Sequence, residues 1–376
     1  MELYVLNRNL ELKGIIDTFT SLRWVRRYHK SGGFELYCAL NSNNLELLKR
    51  ENIIYKKGDN EAGYIETRQL KIDSTGQELL EVKGKLLAGY LARRINWGQL
   101  IFNGNVEELM RKLVLDNCIN TANANRKIPN LILGKVRGFN ESIQYQNSYG
   151  GVLEQLENIS NTSALGYRNL LDIETREIIF DMYKGVNRTI NNGSIAPCIF
   201  SRDFENILEQ EYVDSLNNYK NTCLIAGAGE GKDRKLTSIE QGQGLDRYEL
   251  YVDARDVQDT KQIEKTDGEG NKITEDVPMS DNEYMPLLLQ RGNEKLAECY
   301  EVQTFDSKIN TQGNNVYKKD FDLGDVVTVL DKKWNIRIDT RITEIEETYE
   351  GKGLEVNVTF GNNVPTIIDK IKQVVR

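Results

Sequence analysis

The chain has 376 residues, 39% hydrophobic and 28% charged, with 57 acids against 49 bases and a formal net charge of −8 at pH 7. That length exceeds a single hydrophobic core, so two to four compact units are expected. No apolar run approaches the roughly 20 residues that cross a bilayer, and an acidic balance argues against sequence-independent grip on nucleic acid, which needs a basic surface.

From Met1 to about Ile95 the pattern is strand-rich. Leu3 and Val5 alternate, and Gly14 to Val25 alternates less cleanly. His29 to Gly33 supplies residues for a hairpin reversal into Phe34, Leu36, Cys38 and Leu40. A short helical run N-L-E-L-L-K-R follows, then strands near Ile53–Tyr55, Gly63–Ile72 and Leu79–Gly84. The period then changes. Asn105 caps Val106, Leu109, Met110, Leu113 and Val114, spaced for one helix face, with Glu108 as the capping-box acid. A second helix is expected over Val152, Leu153, Leu156 and Ile159, and a hairpin from Gly166 to Lys184 with its turn at Asp172–Thr175.

Phe200 to Asn218 is open between helix and coil. Thr222–Ala226 and Tyr248–Val252 read as strands, and the acidic, glycine-bearing run from Ile263 to Asp276 as a hairpin tip or mobile loop. Leu287–Cys299 should be helical. Pro286 opens that helix, or kinks it if the pair Ser280 and Glu283 starts it earlier. Glu301–Phe305 returns to strand. Three more follow: D-F-D-L-G-D-V-V-T-V from Asp320, I-R-I-D-T-R-I-T-E-I-E-E from Ile336, and a third in which Leu354, Val356, Val358 and Phe360 alternate with polar residues.

Material for catalysis is sparse. The five cysteines, Cys38, Cys118, Cys198, Cys223 and Cys299, are dispersed with no C-x-x-C pair, and His29 is the single histidine. Reduced thiols, no metal site and no Ser-His-Asp chemistry are therefore expected. The run A-G-A-G-E-G-K-D at Ala226–Asp233 follows an apolar strand, but a phosphate loop needs glycine where Ala226 stands and Ser or Thr where Asp233 stands; it reads as a tight β-connection. Among 57 acids, chance pairs such as Asp253 with Asp256, or Glu344 with Glu346 and Glu347, are expected. The D-G-E-G-N tip is a poor calcium loop, because Pro278 holds the position of the bidentate glutamate. We expect no catalytic, cofactor-binding or metal-ligating residues.

One basic stretch interleaves aromatics: S-L-R-W-V-R-R-Y-H-K, Ser21 to Lys30. In a strand Trp24, Arg26 and Tyr28 share a face, and these residue types dominate protein interfaces. They are the candidate contact between subunits or with a tube. Nucleic-acid stacking is the lesser alternative.

Several blocks together carry a family resemblance. G-I-I-D-T-F-T-S-L-R-W-V-R-R-Y-H-K-S-G-G-F-E-L, L-L-K-R-E-N-I-I-Y-K, A-G-Y-I-E-T, A-G-A-G-E-G-K-D-R-K, G-L-D-R-Y-E-L-Y-V-D-A-R-D, D-L-G-D-V-V and V-T-F-G-N-N-V-P-T span the chain in order. They resemble the Gp37-like tail proteins of siphoviruses and prophages, cousins of the contractile-tail hub and of VgrG-type spikes. The resemblance implies a β-rich α+β chain with two β-barrel-like hub domains and α+β domains between, assembled as a trimeric ring. The expected units are 1–96, completed by strands from about 190–255; an α+β domain over 97–190; a mixed segment over 191–300 with a hairpin loop and a helix; and a second hub domain over 301–376. It further implies a non-enzymatic hub in the virion tail, made in the host cytoplasm. Such a hub adapts a hexameric tube to a threefold tip. Its partners would be the tail tube or distal tail ring, the tape-measure end, and a spike, fibre or lysin chain below, with DNA passing without specific binding. Relatives that continue into a wall-cleaving or receptor-binding domain extend past the point where this chain ends at Arg376.

Overall fold

The computed structural model describes residues 1–72, 74, 76–266 and 272–361. The tip 267–271 and the terminal 362–376 lie outside the described residues. The chain is a β-rich α+β protein organised on one 14-stranded sheet. Its N-terminal strands run in spatial order Ser21–Arg27, Gly33–Ala39, Glu78–Leu86, Ala62–Ile72, Ile53–Lys56, Leu3–Leu6 and Leu12–Ile16. On the other flank of Ser21–Arg27 the C-terminal strand Ile336–Glu350 pairs antiparallel with it, Glu344 opposite Arg27 and Glu350 opposite Ser21. The sheet continues through Gly353–Gly361, Val302–Ile309 and Ile207–Ser215, and Val326–Asp331 adds to Ile336–Glu350.

The two ends of the polypeptide are thus hydrogen-bonded into one sheet, yet each half has its own core. Leu3, Val5, Trp24, Phe34, Leu36, Leu80 and Val82 fill the N-terminal core. Phe200, Phe305, Phe321, Ile345, Val356, Val358 and Phe360 fill the C-terminal one. Two barrel-like domains are expected from the sequence. Among the described residues the strand order is instead open, with Ile207–Ser215 and Leu12–Ile16 as its ends. The physical reason in the N-terminal half is the 15-residue strand Ile336–Glu350, which occupies the flank of Ser21–Arg27 that Leu12–Ile16 would need for closure.

A helical unit lies against the N-terminal half. It holds the helices Val106–Val114 and Val152–Ser163, the pair Gln99–Asn105 with Ser142–Ser148, and a three-stranded sheet of Leu131–Leu133, Gly166–Asp172 and Glu177–Tyr183. Asn105 caps the first helix by accepting from the amides of Glu107 and Glu108. The expected hairpin is present, its turn closed by Asp172 Oδ1 accepting from the amides of Glu174 and Thr175. Phe200 to Asn218, ambiguous in sequence, contains the strand Ile207–Ser215. The late helix is Asp281–Leu296, begun early by the Ser280 and Glu283 capping box, so Pro286 sits inside it.

Where the helical unit's last strand passes to the C-terminal half, the backbones nearly touch. A Cβ on Gly185 would lie 1.9 Å from the carbonyl carbon and oxygen of Gly324. Gly185→Ala is expected to cost about 1–3 kcal/mol, the range for overpacking a filled site, measured by urea denaturation. Gly351→Ala, whose Cβ meets nothing within 4 Å, is the control and should stay within about 0.5 kcal/mol.

Candidate functional site

The basic, aromatic stretch forms the strand Ser21–Arg27 and sits at the middle of the sheet, where the two ends of the chain join. Alternation sets Trp24, Arg26 and Tyr28 on one face, as read from the sequence. That face points inward. Trp24 and Tyr28 are 0% exposed and Arg26 is 4% exposed, all covered by the chain's own residues.

Trp24 stacks on Phe34 at 5.5 Å, and the Lys56 ammonium lies 4.8 Å from its ring centroid. Arg26 makes a bidentate pair with Glu61, 2.7 Å from Nε and 2.9 Å from Nη2. Its Nη1 donates to Asp322 at 2.6 Å and to the Tyr317 hydroxyl at 3.0 Å. Tyr28 donates from its hydroxyl to the carbonyl of Ala164 at 3.1 Å, and the Arg341 guanidinium lies 4.8 Å from its ring centroid. Gly324, at φ +93°, clears room for that ring, since a Cβ there would come within 2.4 Å of it. The stretch therefore ties the N-terminal half, the C-terminal half and the helical unit together.

Arg26 belongs to a larger buried network. Lys56 Nζ bonds Glu347 at 2.5 Å and Asp59 at 3.0 Å; Lys318 Nζ lies 2.9 Å from Asp59 and 3.5 Å from Glu347. The hydroxyls of Tyr317 and Tyr349 donate to the two oxygens of Glu347 at 2.7 and 2.5 Å. Burial by itself would raise the Glu347 pKa. The Lys56 and Lys318 ammonium groups, with hydrogen bonds from Lys56 and Tyr349, outweigh it and bring the value down to about 2. Asp59 is likewise held below its ordinary range: burial opposes this, and Lys56 and Lys318 overcome it.

Lys56, Asp59, Glu61, Tyr317, Lys318 and Asp322 were not singled out from the sequence, because charged runs such as K-K-G-D-N-E read as solvated turns, and Glu347 was named only among chance pairs of acids. One signal was available. At the end of the strand Ile336–Glu350, Glu347 is flanked at its own parity by the apolar Ile345 and Tyr349, as Arg26 is by Trp24 and Tyr28. A charge at an inward parity must find a buried partner.

The other motifs are accounted for locally. Ala226–Asp233 joins Thr222–Ala226 to its antiparallel neighbour Leu236–Ile239, with the Gly227 amide donating to the Lys235 carbonyl. It is a hairpin connection, without the strand-to-helix geometry of a phosphate loop. The paired acids each face a cation: Asp253 bonds Arg234 and Arg255, Asp256 bonds Arg291, Glu344 bonds Arg27 and Glu346 bonds Arg23. His29 Nδ1 meets Ser160 Oγ at 2.8 Å, and burial together with Arg341 lowers its pKa to about 3. Among the described residues no group of three or more His, Cys, Asp or Glu is placed to hold a metal ion.

The model of one protein family, described as siphovirus ReqiPepy6 Gp37-like protein, matches residues 2–362. No curated protein sequence matches. Among solved structures, a tail protein from Neisseria meningitidis MC58 is 13% identical, with 96% of each chain covered and a TM-score of 0.55. The 43 kDa tail protein of prophage MuSo2 from Shewanella oneidensis is 12% identical over 96% of this chain and 98% of its own, TM-score 0.55. The prophage tail protein gp18 from Listeria monocytogenes EGD-e is 13% identical over 100% and 98%, TM-score 0.50. At such identity the likeness is one of fold.

Glu347 makes the joint pH-dependent. Its pKa falls on folding from 4.5 to about 2, so its contribution is complete above about pH 4.5 and is lost as the pH drops toward 2. Denaturation midpoints should fall over that window, and less so in Glu347→Gln. At pH 7 that variant should cost about 3–5 kcal/mol, because Lys56 and Lys318 lose a buried counter-charge.

Proposed function

The chain belongs to the family of siphovirus ReqiPepy6 Gp37-like proteins, and from that membership we propose that it is a structural tail hub of a phage or phage-tail-like particle. The observation that carries the reading is a fold shared nearly end to end with three proteins described as tail proteins. The hub is a homotrimer in which two sheet halves per subunit match the sixfold tube above to a threefold tip below. It sits at the baseplate or tail tip after synthesis in the host cytoplasm. It contacts the tail tube or distal tail ring, closes the tube around the tape-measure end until DNA leaves, and seats a spike, fibre or lysin chain beneath.

Two features support this assembly. Among the described residues the open sheet leaves Leu12–Ile16 and Ile207–Ser215 as unpaired edges, which a ring of copies would cover in a heterologous, closing contact. The formal charge of −8 suits a wall that DNA passes without being gripped. Trp24, Arg26 and Tyr28 serve the assembly from inside the subunit, by holding the joint that presents both halves in one orientation. No catalytic role is assigned.

A second reading, a receptor- or carbohydrate-binding tail module, has one observation in its favour. Trp97 and Tyr149, 72% and 59% exposed, pack edge to face at 5.6 Å on adjoining loops, where such modules present aromatics.

Native mass spectrometry of the purified protein should show three copies; a monomer at micromolar concentration would count against the hub. A glycan-array signal abolished by Trp97→Ala would favour the second reading. Zymography on cell walls should show no clearing by this chain alone.

A further inference from the structure

The chain leaves the main sheet at Ser215 and re-enters it at Val302, and these two residues face each other in the pairing of Ile207–Ser215 with Val302–Ile309. Everything between them hangs from that one point. The connections are also joined to each other there, the Lys220 amide donating to the Cys299 carbonyl at 2.9 Å. Beyond this neck stand a three-stranded sheet, a two-stranded ribbon and the helix Asp281–Leu296. The three-stranded sheet and the helix share a separate core of Cys223, Ile225, Val252, Ala254, Val257, Tyr284, Leu287 and Leu288. Tyr284 closes that core internally, donating to the Val257 carbonyl and accepting from the Ala228 amide.

This arm rests on the helical unit through a contact of a different character. Gln99 Nε2 donates to Gln258 Oε1 at 2.9 Å and to the Thr260 carbonyl at 3.3 Å, and Gln146 Nε2 donates to the Gln258 carbonyl at 3.1 Å. The arm's core and the core of the helical unit are distinct clusters. Two clefts of about 210 and 540 Å³ open where the arm's helix meets the helical unit, one lined by Asn147, Glu154, Lys295 and Glu298, the other by Glu141, Asn161, Gln290 and Asn293. On the covered strand Ser142–Ser148, Gln146 Oε1 and Ser148 Oγ are buried without a hydrogen-bond partner among the described residues. Ser148 pairs in register with Gln99, the residue that holds the arm. Buried amide and hydroxyl oxygens left unpaired disfavour the covered state, because water would satisfy them on exposure. Polar, incompletely packed contacts between units of one chain permit relative motion.

We propose that the segment between Ser215 and Val302 is a hinged arm that swings as an intact body off the helical unit, turning about the paired residues Ser215 and Val302. Opening wets Gln146 and Ser148 and merges the two clefts into one exposed face, while the arm's core and the core of the helical unit stay folded. The motion follows from the connectivity and the contact chemistry and does not depend on the hub reading.

Site-resolved thiol labelling of the full chain with N-ethylmaleimide, read by mass spectrometry under native conditions, tests it. Cys118, in the core of the helical unit, and Cys223, in the arm's core, are both 0% exposed and report unfolding of either body. Gln146→Cys, at a position 5% exposed beneath the arm, reports opening. It should react on the order of tenfold faster than both references, and Gln99→Ala, which removes two of the arm's bonds, should speed it further. Ser148→Cys, a one-atom change, is the second reporter where Gln146→Cys does not fold. Labelling in step with Cys118 or Cys223, or unmoved by Gln99→Ala, overturns the hinge.

Discussion

The fold depends on an antiparallel pairing between residues more than three hundred positions apart, Ser21–Arg27 against the far end of Ile336–Glu350. Backbone bonds alone do not fix such a pairing, since a strand slipped by one residue keeps most of its ladder while turning every side chain over. The buried charges fix it. Buried Arg26 and Lys56, with the more exposed Lys318, are met by Glu61, Asp59, Asp322 and Glu347 in the observed alignment, and Tyr317 and Tyr349 donate to the two oxygens of Glu347. In a low-dielectric interior a mispaired charge is so costly that alternative registers are disfavoured far more strongly than the correct one is favoured.

From this joint follows the open architecture. Ile336–Glu350 gives Ile342 and Ile345 to the C-terminal core and Tyr349 to the margin of the N-terminal core, so the two cores are bound through one strand without merging. Tyr28 does the equivalent from the other side, its ring in the C-terminal core and its hydroxyl on the helical unit. The close passage of Gly185 over Gly324 completes the meeting point. The N-terminal half, the C-terminal half and the helical unit thereby meet at one place.

Away from the joint the balance of interactions changes. The arm between Ser215 and Val302 is bound by glutamine side chains, over Gln146 Oε1 and Ser148 Oγ that have no hydrogen-bond partner among the described residues, whereas the joint pairs its charges and leaves Trp24 Nε1 without one. One chain thus contains a contact centred on ion pairs and another in which side-chain amides take the larger part. The acids that looked like pairs in the sequence are drawn into ion pairs on both bodies.

The strands of both ends, the two long helices, the Gly166–Lys184 hairpin and the parity of Trp24, Arg26 and Tyr28 were legible in the sequence, because period, caps and turn residues act over a few positions. The strand Ile207–Ser215 was not, since Glu209, Glu211 and Asp214 on an edge blur its alternation. Which way the Trp24 face points was not legible either. Local pattern cannot tell a surface destined for a neighbouring subunit from one covered by residues three hundred positions later in the same chain. Sequence by itself determined most of the elements, the family and the scarcity of histidine and paired cysteine. Only the tertiary structure decided that the two ends share one open sheet and that Glu61, Asp322, Glu344 and Glu346 neutralise the arginines of what looked like a basic surface, because charge finds its partners through space and leaves no fixed spacing along the chain.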